Sequence, residues 1–113
     1  MYIIVKLNPS LKNFLIMEKN KLYVLVEKEL NPIYACVQGG HAVAQWLIEN
    51  KEQTWNNQYL IYLSANIEKW MTKLEIMGYN YTIFREPDLN NVPTAIAIEH
   101  DGSIFKTLKT VGS

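Results

Sequence analysis

The hydrophobic pattern of the first half of the chain predicts a strand, a helix and a second strand. Residues 21–28 (KLYVLVEK) are rich in Val, Tyr and Leu and predict a strand. Residues 31–49 (NPIYACVQGGHAVAQWLIE) predict a helix that begins at Asn31, because asparagine is a good N-cap and proline is tolerated at the first helical position. Residues 59–63 (YLIYL) are apolar throughout, as expected for a strand covered on both faces.

The pattern then continues with a helix and two strands. Residues 65–77 have apolar side chains at helical spacing and predict an amphipathic helix. We expect Ser64 to cap its beginning and Gly78 to end it. Residues 79–85 (YNYTIFR) and 94–99 (TAIAIE) predict two further strands.

The connecting and terminal segments are predicted less sharply. Residues 86–93 (EPDLNNVP) contain the Pro, Asp and Asn typical of a loop. Gly102 indicates a turn, and residues 103–111 fit either an edge strand or a terminal helix. Upstream, residues 2–6 fit a short strand and residues 9–17 a short helix.

This order of elements predicts one α/β domain over residues 1–113. We expect a three-layer or two-layer sandwich in which a small mixed, partly parallel β-sheet is flanked by helices. A chain of 113 residues is long enough for a single core of modest size.

The predicted helix over residues 31–49 has one side with almost no bulk. Gly39 and Gly40 lie in its interior, where each glycine costs roughly 1 kcal/mol relative to alanine. We therefore expect this side to pack closely on the sheet, so that Gly40→Leu would destabilise the fold by overpacking. Cys36 lies on the same helix, and we expect it to be a buried structural thiol.

Composition restricts the classes of function and the location. The formal net charge is zero, so binding to nucleic acid would depend on a local basic patch and not on overall charge. A single cysteine cannot form an internal disulfide. No apolar run approaches the roughly 20 residues of a membrane-spanning helix, and the N-terminus lacks signal-peptide features. We expect a cytoplasmic protein without membrane contact.

The sequence carries no signature of a cofactor or metal. Neither G-x-x-x-x-G-K-[ST] nor G-x-G-x-x-G occurs, which argues against nucleotide hydrolysis and dinucleotide binding. Two distant histidines and one cysteine do not have the spacing of a metal site. We therefore predict no cofactor and no metal.

Polar side chains are predicted to converge at one edge of the sheet. In open α/β sheets, ligands bind beyond the carboxyl ends of the strands. The helix beginning at Asn31 follows the first strand and presents Gln38 and His41 along one stripe. The loop with Glu86 and Asp88 follows the third strand, so we expect these five residues to lie near one rim.

The same segments are similar to a known family. Gln38, His41 and Ala42 match by spacing the Q-x-x-H-A motif of the archaeal and eukaryotic type of peptidyl-tRNA hydrolase, whose helix bears A-A-Q-x-x-H-A. Residues 78–86 (GYNYTIFRE) resemble the family's glycine, strand and Arg-Asp segment, and residues 94–98 (TAIAI) resemble its T-V-L-A-I strand. The resemblance covers roughly two thirds of the chain in the correct order.

Several positions depart from the family pattern. Family enzymes carry a lysine in the turn before the Q-x-x-H-A helix, whereas residues 31–34 (NPIY) contain none. Glu86 stands where the family has aspartate, and residues 88–93 (DLNNVP) replace a longer glycine-containing loop. Residues 1–20 have no counterpart in a minimal family core and form an atypical N-terminal extension.

The resemblance implies hydrolysis of the ester that joins a peptide to the terminal ribose of tRNA. His41, paired with Glu86 or Asp88, would activate the attacking water, and we expect its imidazole within reach of one carboxylate, directly or through a water. Donors near the site would polarise the carbonyl group. The residues assigned to substrate binding are Asn31, Gln38, Asn90 and Thr94.

Two other functions remain open for this chain, and we also predict its oligomeric state. The chain could be a catalytically weak or inactive module that keeps the fold and binds a protein or RNA partner. It could also hydrolyse a small acylated substrate unrelated to tRNA. Members of the family that the chain resembles are often dimers, and a domain of this size with three Trp and seven Tyr has ample apolar surface to share, so we expect a homodimer.

Overall fold

The computed structural model describes residues 21–113. The N-terminal extension of residues 1–20, with the strand predicted at 2–6 and the helix predicted at 9–17, lies outside the described residues. In chain order, the elements are β1 (Lys21–Glu27), α1 (Pro32–Glu49), β2 (Leu60–Ala65), α2 (Ile67–Met77), β3 (Thr82–Glu86), β4 (Val92–His100) and β5 (Lys109–Thr110). Short 3-10 turns occur at Pro87–Leu89 and Ser103–Phe105.

The described strands form one mixed sheet in the order β3-β4-β1-β2-β5. The pair β1–β2 is parallel, with α1 as its crossover, and the other neighbours are antiparallel. Because β3 and β1 are both antiparallel to β4, the strands β1, β2 and β3 run in the same direction. Their carboxyl ends therefore meet at one edge of the sheet, and the predicted fold class is confirmed.

The sheet separates two hydrophobic clusters, one under each helix. Side chains of a strand alternate between its two faces. Of the buried β1 side chains, Leu22, Val24 and Val26 pack in the cluster of α1. Tyr23 and Leu25 pack in the cluster of α2. The result is a three-layer arrangement with a helix on each face.

Two of the predicted helix ends are confirmed. The Asn31 side-chain Oδ1 accepts hydrogen bonds from the backbone N–H groups of Ile33 at 2.9 Å and Tyr34 at 3.4 Å. These bonds satisfy donors that a helix N-terminus otherwise leaves without a partner. Gly78 ends α2 in the left-handed conformation at φ +76°, which glycine adopts without steric cost.

The predicted beginning of α2 is wrong by two residues. Ser64 and Ala65 belong to β2, where they pair with Val26 and Glu27 of β1. The N-cap is Asn66, whose Oδ1 accepts the backbone N–H of Lys69 at 3.0 Å. Serine and asparagine both cap helices well, so parallel pairing with β1 decides which of them does so here.

Other element boundaries also differ from the prediction. The third strand begins at Thr82 and not at residue 79, and β4 is longer at both ends than the predicted 94–99. The loop between them is therefore short: it consists of the 3-10 turn Pro87–Leu89 followed by Asn90 and Asn91. The turn at Gly102 is confirmed, with φ +89°. Residues 103–111 contain a 3-10 turn and the short edge strand β5, and no terminal helix.

Two expectations for α1 are wrong. A Cβ atom at Gly39 would meet the Tyr62 ring and lie 3.0 Å from Val24 Cγ1, whereas one at Gly40 would meet nothing within 4 Å. Gly39 therefore packs on the sheet and Gly40 faces outward. Cys36 is also exposed, and not buried. Apolar residues occur almost all around this helix, so their spacing did not indicate which side faces the core.

The two neighbouring glycines should respond oppositely to alanine. We expect Gly40→Ala to raise the free energy of unfolding by about 0.5–1 kcal/mol, because alanine favours the helix and the site is open. Gly39→Ala should lower it by about 1–3 kcal/mol through overpacking against Tyr62 and Val24. Chemical denaturation of the matched pair measures both. Equal effects of the two substitutions would contradict the orientation of α1.

Candidate functional site

The edge strand β3 presents every second side chain to α1. These are the side chains of Thr82, Phe84 and Glu86. They meet α1 residues that lie along one stripe of the helix, and the strand and the helix run in opposite directions. The contacts are a hydrogen bond of 2.8 Å from Thr82 Oγ1 to Glu49 Oε1, a ring stack of Phe84 on His41, and a hydrogen bond between Gln38 and Glu86. The stripe therefore ends at the carboxyl edge of the sheet, where the candidate site lies.

Gln38 is the centre of the site and is fully buried, with 0% of its surface exposed. Its Nε2 donates to Glu86 Oε1 at 3.0 Å, and its Oε1 accepts from Thr94 Oγ1 at 2.6 Å. A buried amide needs such partners, because an unpaired polar group in the core is costly. One side chain thus joins α1 to β3 and β4.

Glu86 receives further donors at the end of β3. The Tyr34 hydroxyl donates to its Oε1 at 3.3 Å, and the backbone N–H of Asp88 donates to its Oε2 at 3.3 Å. The hydrogen bond from Gln38 is the largest cause that lowers the pKa of Glu86, and the Asp88 N–H adds to it against the opposing effect of desolvation. Glu86 is therefore held as a carboxylate.

Tyr34 belongs to this site although the sequence analysis did not assign it. Burial, and then the negative charge of Glu86, raise the pKa of the Tyr34 phenol, so it stays protonated and donates. Tyr34, Gln38 and His41 follow the spacing i, i+4 and i+7, which places them on one stripe of α1. That spacing was the signal in the sequence that could have identified Tyr34.

His41 lies exposed on α1, next to the buried network. Its ring stacks on Phe84 with centroids 4.6 Å apart and planes inclined by 14°. Its charge is the last of the causes that lower the pKa of Glu86. Among residues 21–113, no hydrogen bond joins the imidazole directly to Glu86 or Asp88.

The remaining predicted site residues lie at the exposed rim, outside the buried network. Asp88 is exposed in the 3-10 turn after β3. Asn90 is also exposed and adopts the left-handed conformation at φ 57°. The side chain of Asn31 is used to cap α1. The fold thus brings Gln38 and Glu86 together with Thr94, and leaves the other candidates around them.

Neither a metal-binding cluster nor a membrane-spanning helix occurs within the described part of the chain. No group of three or more His, Cys, Asp or Glu side chains in residues 21–113 could hold a metal ion. Within the same range, no helix has the length and apolar character needed to cross a membrane.

Comparison with known proteins does not assign the chain to a family. No protein-family model matches the chain, and no curated protein matches it either. The resemblance to peptidyl-tRNA hydrolases therefore rests on the motifs around Gln38, His41 and Glu86.

The lowered pKa of Glu86 predicts a pH-dependent contribution to stability. A carboxyl group with a folded-state pKa below its ordinary 4.5 stabilises the fold above that pH and loses the effect as pH falls through the folded-state pKa. Glu86→Gln should therefore lower the free energy of unfolding most at neutral pH, and the difference from wild type should shrink below about pH 4.5. Denaturation across pH measures it. A difference that does not vary with pH would contradict the assigned hydrogen bonds.

Proposed function

We propose that the chain hydrolyses the ester between a peptide and the terminal ribose of tRNA, as peptidyl-tRNA hydrolases do. The observation that carries the proposal is the buried Gln38 side chain, hydrogen-bonded to Glu86 and Thr94. All three were assigned by the resemblance, although they come from three elements that are distant in sequence. Their convergence beside an exposed histidine supports the assignment of a functional site here.

The electrostatics of the site favour His41 as the base. A useful general base has a pKa near the working pH, and hydrogen bonds lower the pKa of Glu86 away from that range. Glu86 is therefore better suited to stabilise the imidazolium that forms on His41 when it accepts a proton. The ring stack on Phe84 limits the orientations that the His41 imidazole can adopt.

The proposed reaction needs only water and these side chains. The water oxygen bonds to the ester carbonyl carbon while His41 accepts a water proton. The bond from that carbon to the ribose oxygen then breaks, and His41 returns the proton to the leaving oxygen. We assign Asn31 and Asn90, both at the exposed rim, to substrate binding, and in this proposal their side-chain N–H groups donate to the developing oxyanion.

Two basic residues at the same edge support an RNA substrate. Lys28 directly follows β1, and Arg85 is the penultimate residue of β3; both are exposed. The carboxyl ends of these strands lie on the same edge of the sheet as Gln38 and Glu86. Lysine and arginine side chains contact phosphates in most nucleic-acid complexes, so this edge can meet the tRNA backbone despite a net charge of zero.

A second candidate function is a module that keeps the fold and binds a protein or RNA without catalysis. The observation that favours it is the completeness of the network: Glu86 already accepts from Tyr34, Gln38 and the Asp88 N–H. Such a network stabilises the fold without any substrate.

Release of peptide from purified peptidyl-tRNA tests the proposed reaction. We expect release by the wild-type chain and a loss of about 100- to 10,000-fold in rate for His41→Ala, the range for removal of a positioned base. Gln45→Ala is the matched control, because Gln45 is on the same helix and hydrogen-bonds only to Glu49 within the described residues. We expect its rate to equal that of wild type.

Two outcomes would count against the proposed reaction. Equal rates for wild type and His41→Ala would show that His41 is not the base. Absence of release, together with retention of tRNA by the wild-type chain in a filter-binding assay, would favour the binding module.

A further inference from the structure

The outer edge of β3, which is the edge that faces away from β4, is open within the described part of the chain. β3 lies at one end of the strand order and pairs only with β4. In an antiparallel pair, every second residue directs its backbone N–H and C=O groups away from the neighbouring strand. Within residues 21–113, no hydrogen bond reaches the outward backbone groups of residues 82–85. Such a row of donors and acceptors is a template for a further strand.

The sequence and regularity of β3 leave this edge suitable for pairing. The strand contains neither proline nor lysine, and the irregularity in the pair β3–β4 lies on β4. Phe84 pairs with Ala95 and Arg85 with Pro93, so Thr94 is an extra residue of β4. Bulges and prolines are common means by which proteins make an edge strand unsuitable for pairing. The outer edge of β3 therefore keeps the regular spacing that a further strand needs.

This edge leads directly to the candidate site. β3 runs from Thr82 to Glu86, and Glu86 accepts the hydrogen bond from the buried Gln38. His41 lies beside the same strand, with its ring stacked on Phe84. A chain that pairs with β3 in the same direction would therefore end beside His41 and Glu86.

We propose that the peptide part of the substrate binds as an additional strand on the outer edge of β3, parallel to it. The inference rests on the proposed function, because the ester must lie beside His41 and Glu86. The last residue of the peptide forms the ester, so the carboxyl end of the peptide lies at Glu86 and its amino end toward Thr82. Each strand residue rises about 3.3 Å, so the five residues of β3 give room for about four to five residues of peptide.

The chemistry of the substrate favours recognition through the main chain. Peptides attached to tRNA differ in sequence, whereas their backbone N–H and C=O groups are the same. Strand addition uses these shared groups for affinity and directs successive side chains to opposite faces. Binding on this edge therefore accepts peptides of different sequence and distinguishes them by length and by the state of the backbone.

Release of peptide from a set of peptidyl-tRNAs tests the proposal. We expect kcat/KM to rise with peptide length from two to about five residues and then to stay constant, because β3 begins at Thr82. N-methylation of one peptide nitrogen removes a hydrogen-bond donor. As the methyl group is moved along the peptide, kcat/KM should fall about five- to tenfold at every second position and change little between them. Exchange of the peptide side chains at the same positions is the matched control and should leave kcat/KM nearly unchanged.

Hydrogen exchange locates the bound peptide without any need for catalysis. The probe is a pentapeptide joined by an amide bond to 3′-amino-3′-deoxyadenosine, which has no ester to cleave. In the full chain, the probe should slow the exchange of the outward amides of residues 82–85. The amides of Leu60 and Ile61 are the control, because they lie in β2, which β4 and β1 separate from β3. Their exchange should not change.

The outcomes separate this inference from the proposed function. Release that depends neither on peptide length nor on N-methylation would overturn strand addition and leave the hydrolase activity intact. Absence of release, together with slowed exchange in β3 on addition of the probe, would contradict the proposed reaction and support peptide binding at this edge. Unchanged exchange in β3, or outward β3 amides that already exchange slowly in the free chain, would overturn the inference.

Discussion

The rest of the structure depends on the burial of one amide, that of Gln38. A fully buried amide must have partners for its oxygen and nitrogen, and these are supplied by Thr94 on β4 and Glu86 on β3. The two bonds fix the rotation of α1 about its own axis, because a different rotation would remove Gln38 from both partners. That rotation brings Tyr34 to Glu86 and stacks His41 on Phe84. The site is therefore a consequence of how the helix is anchored.

The same rotation gives α1 three different sides. One carries the polar stripe toward β3, and a second packs on the sheet through Gly39 and its small neighbours. The third faces away from the sheet and exposes Ile33, Val37, Leu47 and Ile48. A helix that is apolar over more than its core-facing side is expected to be buried by something else. The candidate site and the side that packs on the sheet thus arise from the same helix without sharing side chains.

The fold could be predicted from the sequence where local chemistry decides the structure. The cap at Asn31 and the end of α2 at Gly78 follow from the backbone preferences of those residues, and both are confirmed. Which side of α1 faces the sheet could not be predicted, because apolar residues occur almost all around the helix. Gly40 and Cys36 were consequently placed on the wrong side. In the site, the spacing of the helix motif identified Gln38. Helical spacing also places Tyr34 on the same stripe of α1, but its bond to a carboxylate 52 residues away depends on the tertiary structure.

A double-mutant cycle on Gln38 and Thr94 tests the central role of the buried amide most directly. Each single substitution, Gln38→Leu or Thr94→Val, leaves the other residue's polar atom buried without its partner, at a cost of about 1–3 kcal/mol. The double substitution removes both polar atoms together. We predict that the double variant is more stable than the sum of the two single effects implies, with a coupling free energy of about 0.5–3 kcal/mol in chemical denaturation. Strictly additive effects would contradict the account, because they would mean that the two side chains do not depend on each other.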